Sequence, residues 1–281
     1  MLYFAVILYN KEFSESFSIN SLINSSANKN SKIIVFDNSS DRSIKNINQR
    51  SVPNKIEYLN SNHGNIGLSK AYNLIVDYLW EIGAKPTDYL CLLDDDTELS
   101  SEFFEKVNYL IDERKDIIFP VIVGQNNKVY SPNNWGYIKN SKFNFKQSII
   151  DNYNINAINS CLTIKMKIFE KFRYNESLFL DQVDQLFFDS IRNRGYSYGL
   201  ANVIVIQNFS QRDSVYGNSY LQRFNIRTKD LITYGRISPY NNVIMCYIKN
   251  ILLGITMTLR AHTLTYFLVG LKSIKYWRER T

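Results

Sequence analysis

Short apolar runs alternate with helical patterns through roughly the first third of the chain. Runs typical of buried strands occupy residues 2–8, 32–36, 55–59 and 89–93. Between the last two runs, apolar residues recur at helical spacing from 68 to 82. This alternation predicts an α/β fold with a mostly parallel sheet and flanking helices, whose ligand site lies beyond the carboxyl ends of the strands.

The pattern is less regular after about residue 120. Residues 117–123 and 157–164 are predicted strands, and residues 182–194 are a predicted helix that ends at Gly195. We see no internal repeat and no low-complexity linker. We therefore divide the chain only approximately, into regions 1–120, 121–235 and 236–281.

The last region contains two apolar stretches, at residues 243–259 and 263–271. Lys249 interrupts the first, and Arg260 and His262 separate the pair. Neither stretch has the roughly 20 uninterrupted apolar residues that a membrane-spanning helix needs. Four basic residues follow them: Lys272, Lys275, Arg278 and Arg280. This pattern predicts a helical region lying on an anionic membrane surface, and the alternative is a helix pair packed against the core.

Composition excludes several classes of protein. Hydrophobic residues make up 45% of the chain, which is typical of a folded protein, and the 33 basic against 26 acidic residues favour an anionic partner. The basic residues form no recognisable nucleic-acid motif. Three dispersed cysteines predict neither a zinc site nor a disulfide framework, and the N-terminus lacks the features of a signal peptide, so we expect a cytoplasmic protein.

Three consecutive aspartates follow the predicted strand at 89–93. Alternate side chains of an extended segment point the same way, so Asp94 and Asp96 can converge on one hard divalent cation while Asp95 faces elsewhere. The alternative is a solvated acidic turn before a helix, with Thr97 or Ser100 as its N-cap. With only two histidines in the chain, a histidine-based metal centre is discounted.

Two further polar segments follow predicted secondary structure. Asp37 begins a turn at the end of the second strand, where a carboxylate could also accept the imide N–H of uracil or thymine. Gly64 and Gly67 lie in a loop before a helix, where they allow either close approach of a ligand to the backbone or an ordinary turn.

These segments occur in one order along the chain. They are Tyr9-Asn10, Asp37-Asn38-Ser39-Ser40, the loop and helix start from Asn62 to Asn73, and Asp94-Asp95-Asp96-Thr97. Together they resemble glycosyltransferase family 2, and within it the bacterial rhamnosyltransferase-like branch, over residues 1 to about 235.

The resemblance implies a GT-A fold, a nucleotide-diphosphate sugar as donor (a dTDP- or UDP-sugar), a Mg²⁺ or Mn²⁺ ion and inversion at the anomeric carbon. Within this scheme Asp37 would contact the base, and Asp94 with Asp96 would hold ribose and metal. The whole donor-nucleotide set is Tyr9, Asn10, Asp37, Gly67, Lys70, Asn73, Asp94, Asp95 and Arg227. For Arg227 the alternative is an ordinary solvated arginine on a helix.

The resemblance also implies a catalytic base at the start of the helix at 182–194. Asp184 is the matching position and Asp181 is the second choice, although either could simply be a helix-start carboxylate. Two positions depart from the family pattern. Leu186 replaces an acidic residue, and the stretch beginning Gln207-Asn208 lacks a histidine, so that one of these amides could supply an oxygen ligand instead.

The resulting prediction is an inverting glycosyltransferase of bacterial surface polysaccharide (O-antigen or capsule) synthesis. It would transfer one sugar, L-rhamnose by analogy with this branch, to a lipid-linked oligosaccharide at the inner face of the cell membrane. The region 1–120 would bind the nucleotide sugar, 121–235 the acceptor, and 236–281 the membrane. The alternatives are a sugar-phosphate nucleotidyltransferase, which usually has a Gly-rich loop after its first strand, and a non-catalytic assembly subunit.

Overall fold

A mixed eight-stranded sheet forms the centre of the protein in a computed structural model, which describes residues 1–25, 31–137, 139–143, 154–207 and 216–278. The strands in chain order are β1 Leu2–Leu8, β2 Ser31–Asp37, β3 Ile56–Asn60, β4 Tyr89–Asp94, β5 Ile117–Gly124, β6 Val129–Ser131, β7 Asn133–Asn134, β8 Ser141–Lys142, β9 Ile155–Asn156, β10 Leu162–Lys165 and β11 Tyr198–Gln207. The α/β fold with a mainly parallel sheet is therefore confirmed.

The order of the strands brings the predicted polar segments to one edge of the sheet. The order is β11-β5-β10-β4-β1-β2-β3, with β6 beside β5, and the neighbours among β1 to β4 are parallel. Leu8 of β1 is in register with Asp37 of β2, and Ile7 with Asp94 of β4. The carboxylates of two different strands thus flank the end of β1.

Helices cover both faces of the sheet. They are α1 Phe17–Asn24, α2 Arg42–Arg50, α3 Leu68–Glu81, α4 Ser101–Asp112, α5 Val183–Ile191, α6 Asn218–Ile237, α7 Val243–Ala261, α8 Thr265–Lys272 and α9 Lys275–Arg278. Alternate residues of β1 explain the two layers. Tyr3, Ala5 and Ile7 pack in one apolar cluster with α3, whereas Phe4 and Val6 pack in a second cluster with α1 and α4.

The second half departs from the predicted elements. Only the end of the predicted strand at 157–164 is a strand, β10 in the central sheet, and β9 just before the predicted range belongs to a separate three-stranded sheet. The predicted helix at 182–194 ends at Ile191, because Arg192 has an extended ψ of 139° and Asn193 after it is left-handed with φ 60°. The predicted boundary at residue 120 falls inside β5, and the division into three regions stays a prediction.

The helical C-terminal region is present as predicted. Lys249 does not interrupt α7, which continues for 19 residues with a mean hydropathy of 1.4. Within the described part of the chain, α7 alone has the length and composition of a membrane-spanning helix, a property it shares with many core helices of soluble proteins. Arg280 lies outside the described residues.

Candidate active site

Asp94 and Asp96 converge at the carboxyl end of β4, and Gln207 at the end of β11 joins them. The Gln207 Nε2 donates to Asp94 Oδ2 at 2.7 Å and to Asp96 Oδ1 at 3.3 Å. An antiparallel bridge between Thr97 and Gln207 holds the two segments side by side. The structure therefore brings together the two predicted cation-binding carboxylates and the amide found where the family pattern has a histidine.

Asp95 points to the opposite side, toward the β1–α1 segment. Lys11 Nζ forms an ion pair with Asp95 Oδ1 at 2.6 Å, and the Tyr9 N–H donates to Asp95 Oδ2 at 3.3 Å. Two serines of that segment fix the backbone of the acidic turn, since Ser16 Oγ donates to the Asp95 carbonyl and Ser18 Oγ to the Asp94 carbonyl. Asp95 thus stabilises the turn that separates Asp94 from Asp96.

Burial makes it unfavourable for Asp94 and Asp96 both to be charged. It raises the pKa of Asp94 to about 6 and that of Asp96 to about 7, and in Asp96 the neighbouring charges of Asp94 and Asp95 add to the effect. A bound cation would oppose both effects because it favours the charged carboxylates.

The donor set fits Mg²⁺ or Mn²⁺. Among the described residues no group of three His, Cys, Asp or Glu side chains could hold a metal ion, and Gln207 offers a donor of another type beside the two carboxylates. Gln207 Oε1 is buried without a hydrogen-bond partner, and rotation of this amide by half a turn would present that oxygen to the carboxylates instead of Nε2. Two carboxylates and one amide oxygen are hard ligands of the kind that these cations prefer. Asn208 lies outside the described residues.

The loops after β1 and β2 are joined through Asn10. Its backbone N–H donates to Ser39 Oγ at 2.7 Å, and its side-chain oxygen accepts from the N–H groups of Ser40 and Asp41. Asn10 has a left-handed φ of 48°, a conformation that asparagine tolerates better than most residues. Tyr9 beside it is 47% exposed at the sheet edge.

Asp37 is fully buried and its carboxylate is already hydrogen-bonded. It accepts from the Ser39 N–H, from Asn48 Nδ2 at 2.9 Å and from the Tyr58 hydroxyl at 3.0 Å. A nucleobase could reach this carboxylate only after one of these donors moves. Contact between Asp37 and the base stays a prediction, and in this structure Asp37 fixes the loop after β2.

Gly67 lies against the protein's own backbone. It has φ 87°, and a Cβ at this position would lie 2.6 Å from the carbonyl oxygen of Phe179. The Leu68 N–H donates to that same carbonyl at 2.7 Å, and the Gly67 N–H donates to Asn65 Oδ1. The first two N–H groups at the start of α3 are therefore used within the protein.

Two other residues of α3 that are predicted to bind the donor nucleotide differ in their surroundings. Lys70 is exposed. Asn73 is buried and clamps the segment before α5: its Nδ2 donates to the Tyr174 carbonyl and to Glu176 Oε1, and its Oδ1 accepts from the Tyr174 N–H. Contact of either residue with the nucleotide stays a prediction.

Asp184 lies in the first turn of α5. Burial raises its pKa to about 6, and Asp181 contributes by charge repulsion. Its charge also raises the pKa of Asp94, and both carboxylates raise the pKa of the buried Tyr72. Asp184 is therefore within electrostatic range of the predicted cation site.

Asp181, unlike Asp184, forms an ion pair with a residue of α6. Arg223 Nη1 and Nη2 contact the two oxygens of Asp181 at 2.6 and 3.3 Å. A carboxylate held in this two-point ion pair is a poor candidate for a base that must take up a proton. Arg227, one turn further along α6, is exposed and forms no ion pair with another described residue.

Asp230 is a site residue that the sequence analysis missed. It is 1% exposed, and its carboxylate accepts from three consecutive backbone N–H groups, those of Phe179, Leu180 and Asp181, at 3.0, 2.7 and 2.8 Å. Asp230 thereby fixes the segment that leads into Asp184. A signal existed, because Asp230 is an acidic residue among the apolar positions of an amphipathic helix, and a buried carboxylate needs partners.

The fold and the site define a GT-A-type glycosyltransferase, with an acidic pair at the sheet edge and a third carboxylate within electrostatic range of it. The chain belongs to the family described as Glycosyl transferase family 2, which it matches over residues 4–173. Asp184 and Gln207 lie beyond the matched residues. The protein is accordingly a hexosyltransferase-type enzyme, and the nucleotidyltransferase and non-catalytic alternatives are dropped.

Solved structures agree with this fold. S. aureus TarS 1–349 in complex with UDP-GlcNAc is 14% identical with a TM-score of 0.52, covering 98% of this chain and 78% of that one. Mannosyltransferase PcManGT from Pyrobaculum calidifontis, in complex with GDP-Man and Mn²⁺, is 10% identical with a TM-score of 0.57, covering 99% and 88%. A search of curated proteins finds no match.

Proposed function

We propose that the protein is an inverting glycosyltransferase that uses a nucleotide-diphosphate sugar and Asp184 as its base. The observation that carries the proposal is the pairing of Asp94 and Asp96 with Gln207 at the end of β4, together with a third carboxylate, Asp184, within electrostatic range of Asp94. A leaving diphosphate and an attacking hydroxyl need groups of opposite function on opposite sides of the anomeric carbon.

In the proposed reaction, Asp184 takes the proton of an acceptor hydroxyl as the oxygen attacks the anomeric carbon. A bond forms between that oxygen and the sugar, the bond from the sugar to the diphosphate breaks, and the diphosphate departs with the electron pair. A Mg²⁺ or Mn²⁺ ion held by Asp94, Asp96 and Gln207 would neutralise charge on the leaving diphosphate. The raised pKa of Asp184 favours proton uptake from a hydroxyl near neutral pH.

The finer assignment is an L-rhamnosyl transfer from a dTDP- or UDP-sugar to a lipid-linked oligosaccharide. The reaction would take place at the inner face of the membrane, during synthesis of a bacterial surface polysaccharide. Its support is the order of the sequence motifs, which resembles the rhamnosyltransferase-like branch, together with the apolar and basic C-terminal helices. The two structural neighbours were solved with a uridine and a guanosine nucleotide sugar, so the base has to be tested directly.

The test is calorimetric titration of UDP, dTDP and GDP into the purified protein, with and without Mn²⁺ or Mg²⁺. We expect cation-dependent binding of a pyrimidine diphosphate, which Asp96→Ala abolishes. Glu98→Ala is the matched control, because Glu98 is exposed two residues further along the chain and should bind as the wild type does. Absence of binding to all three nucleotides would overturn the proposal, and preference for GDP would overturn its pyrimidine part.

A further inference from the structure

One side of α7 carries a continuous row of exposed apolar side chains. They are Ile244, Ile248, Leu252, Ile255 and Leu259, with exposed fractions of 57%, 43%, 59%, 41% and 71%. Successive members are three or four residues apart, so they project from one side of the helix. We call this row the α7 stripe. The segment after α7 adds further exposed apolar residues: Leu264, Leu268, Ile274 and Trp277.

The α7 stripe is exposed because the opposite side of α7 is fixed to its neighbours. Asn250 is fully buried there, and its Nδ2 donates to the Thr228 carbonyl of α6 and to Ser273 Oγ after α8. Gly254 packs so closely on the next helix that a Cβ would lie 2.8 Å from the Tyr266 carbonyl oxygen. Rotation of α7 to hide the stripe would break both hydrogen bonds of the Asn250 amide and the close packing at Gly254.

The charged residues of the segment from α7 to α9 are all of one sign. From 243 to 278 the sequence contains five basic residues and no acidic residue. The basic residues are Lys249, Arg260, Lys272, Lys275 and Arg278, of which Arg260, Lys272 and Lys275 are exposed. Apolar area beside cationic side chains matches the boundary between acyl chains and anionic headgroups of a lipid bilayer.

We infer that α7 lies in the plane of an anionic membrane with the α7 stripe inserted, and that it does not cross the bilayer. The neighbouring α6 excludes a spanning position, because it runs along α7: Thr228 contacts Asn250, and the Tyr220 hydroxyl contacts Met257 Sδ at 3.1 Å. A spanning α7 would carry α6 into the hydrocarbon with its exposed Arg227 and Lys229. Charged side chains facing lipid are strongly unfavourable there.

This inference deepens the proposed function and in part rests on it. A lipid-linked acceptor is confined to the membrane surface, and an enzyme held there by α7 meets it without leaving the bilayer. The lipid contact itself requires no turnover, so it can be measured independently of sugar transfer.

The test is flotation of the full-length protein with vesicles of phosphatidylcholine alone, or with phosphatidylglycerol added. We expect binding to the anionic vesicles that high salt weakens, and release at alkaline carbonate, as for a protein that does not span. The double variant Leu252→Ser/Leu259→Ser should lose at least tenfold in vesicle affinity. Ile47→Ser/Tyr109→Ser removes two exposed apolar residues of α2 and α4 and should bind as the wild type does.

Three outcomes would overturn the inference. Resistance to carbonate would show a spanning helix, and equal flotation of the two double variants would exclude the α7 stripe. A dimer in lipid-free solution that Leu252→Ser/Leu259→Ser dissociates would assign the stripe to a second copy of the chain. Thermal melting and nucleotide titration of every variant show whether it is folded, so loss of lipid binding with retained nucleotide binding is specific.

Discussion

Asp94 and Asp96 come at the end of a strand, whereas Asp184 follows a segment without regular structure. The position of Asp94 is set by the backbone ladder, in which β4 pairs with β1 on one side and with β10 on the other. The segment before Asp184 is set by side chains instead. Asn73 of α3 holds its beginning and Asp230 of α6 holds its end.

The two sides of the site should therefore respond differently to mutation. A strand end supported by main-chain hydrogen bonds tolerates changes in distant side chains, whereas a loop supported by two buried polar residues depends on both of them. Changes at Asn73, Gly67 or Asp230 should disturb catalysis more than nucleotide binding. Changes at Asp94 or Asp96 should disturb nucleotide binding first.

The largest expected effect is that of Asp184→Asn. Removal of the base should lower kcat about a thousandfold, within the range known for general bases, while nucleotide affinity stays at the wild-type value. Transfer rates and calorimetric titration measure the two quantities. The comparison variant is Asp181→Asn, which breaks the pair with Arg223 but leaves Asp184 in place, and its rate should fall much less. A larger fall in kcat for Asp181→Asn than for Asp184→Asn would assign the role of base to Asp181.

The next effect is that of Asp230→Ala. Three backbone N–H groups would lose their acceptor, so we expect a loss of roughly 2–4 kcal/mol in the free energy of unfolding, measured by urea titration. Sugar transfer should fall in kcat with little change in nucleotide affinity, because β4 is untouched.

The matched control for Asp230→Ala is Glu105→Ala, which removes an exposed carboxylate from α4 and should change neither quantity. Equal losses of kcat and of nucleotide affinity in Asp230→Ala would contradict a local effect on the base segment. They would indicate a general loss of structure.

The sequence predicts well the part of the site at the end of β4, for a physical reason. An apolar run followed by acidic residues is a local pattern, and parallel strands place their carboxyl ends at one edge whatever the details of packing. Asp94 and Asp96 thus converge as predicted, and Asp95 points away. Gln207, 113 residues from Asp94, was noted only because the family pattern has a histidine there.

The segment that leads into Asp184 could not be predicted in the same way. Asn73 and Tyr174 are 101 residues apart, and Asp230 is 49 residues from Asp181. No local pattern encodes such pairs. Gly67 shows the consequence, since the sequence indicated close approach at this glycine, and the structure shows that the group approaching it is Phe179.

A smaller effect is expected for Gly67→Ala, which tests that contact. Gly83 is the matched control, since it has nearly the same φ, 85° against 87°, but nothing within 4 Å of its would-be Cβ. Both alanines should cost about 1–3 kcal/mol through backbone strain, and Gly67→Ala should lie at the upper end, because φ 87° with ψ 165° is a conformation essentially restricted to glycine. Gly67→Ala should cost more than Gly83→Ala by the clash with Phe179, and it alone should lower kcat. Equal unfolding free energies and equal kcat would show that the contact has no influence on the base.

The smallest expected effect is a pH dependence that both sides of the site share. Burial raises the pKa of Asp184 and of Asp94 to about 6 and that of Asp96 to about 7. Each group acts as a carboxylate, so activity should rise with pH through this window and, without a cation, fall by more than about tenfold per unit below about pH 6, because more than one required carboxylate then takes up a proton. The contribution to stability has the opposite sign. Because folding raises these pKa values above 3.8, the three groups favour the folded state more as the cation-free protein is acidified.

A bound cation should separate the pH dependence of nucleotide binding from that of kcat. It favours the charged forms of Asp94 and Asp96 and lowers their pKa, whereas the pKa of Asp184, which does not hold the cation and is raised first by burial, should fall less. At saturating Mn²⁺, nucleotide binding should therefore persist below about pH 6 while kcat falls, as titration and rate measurements between about pH 5 and pH 8 would show. If nucleotide binding and kcat fell together at saturating Mn²⁺, protonation of Asp94 and Asp96 would limit activity. Asp184 would then not control the pH profile.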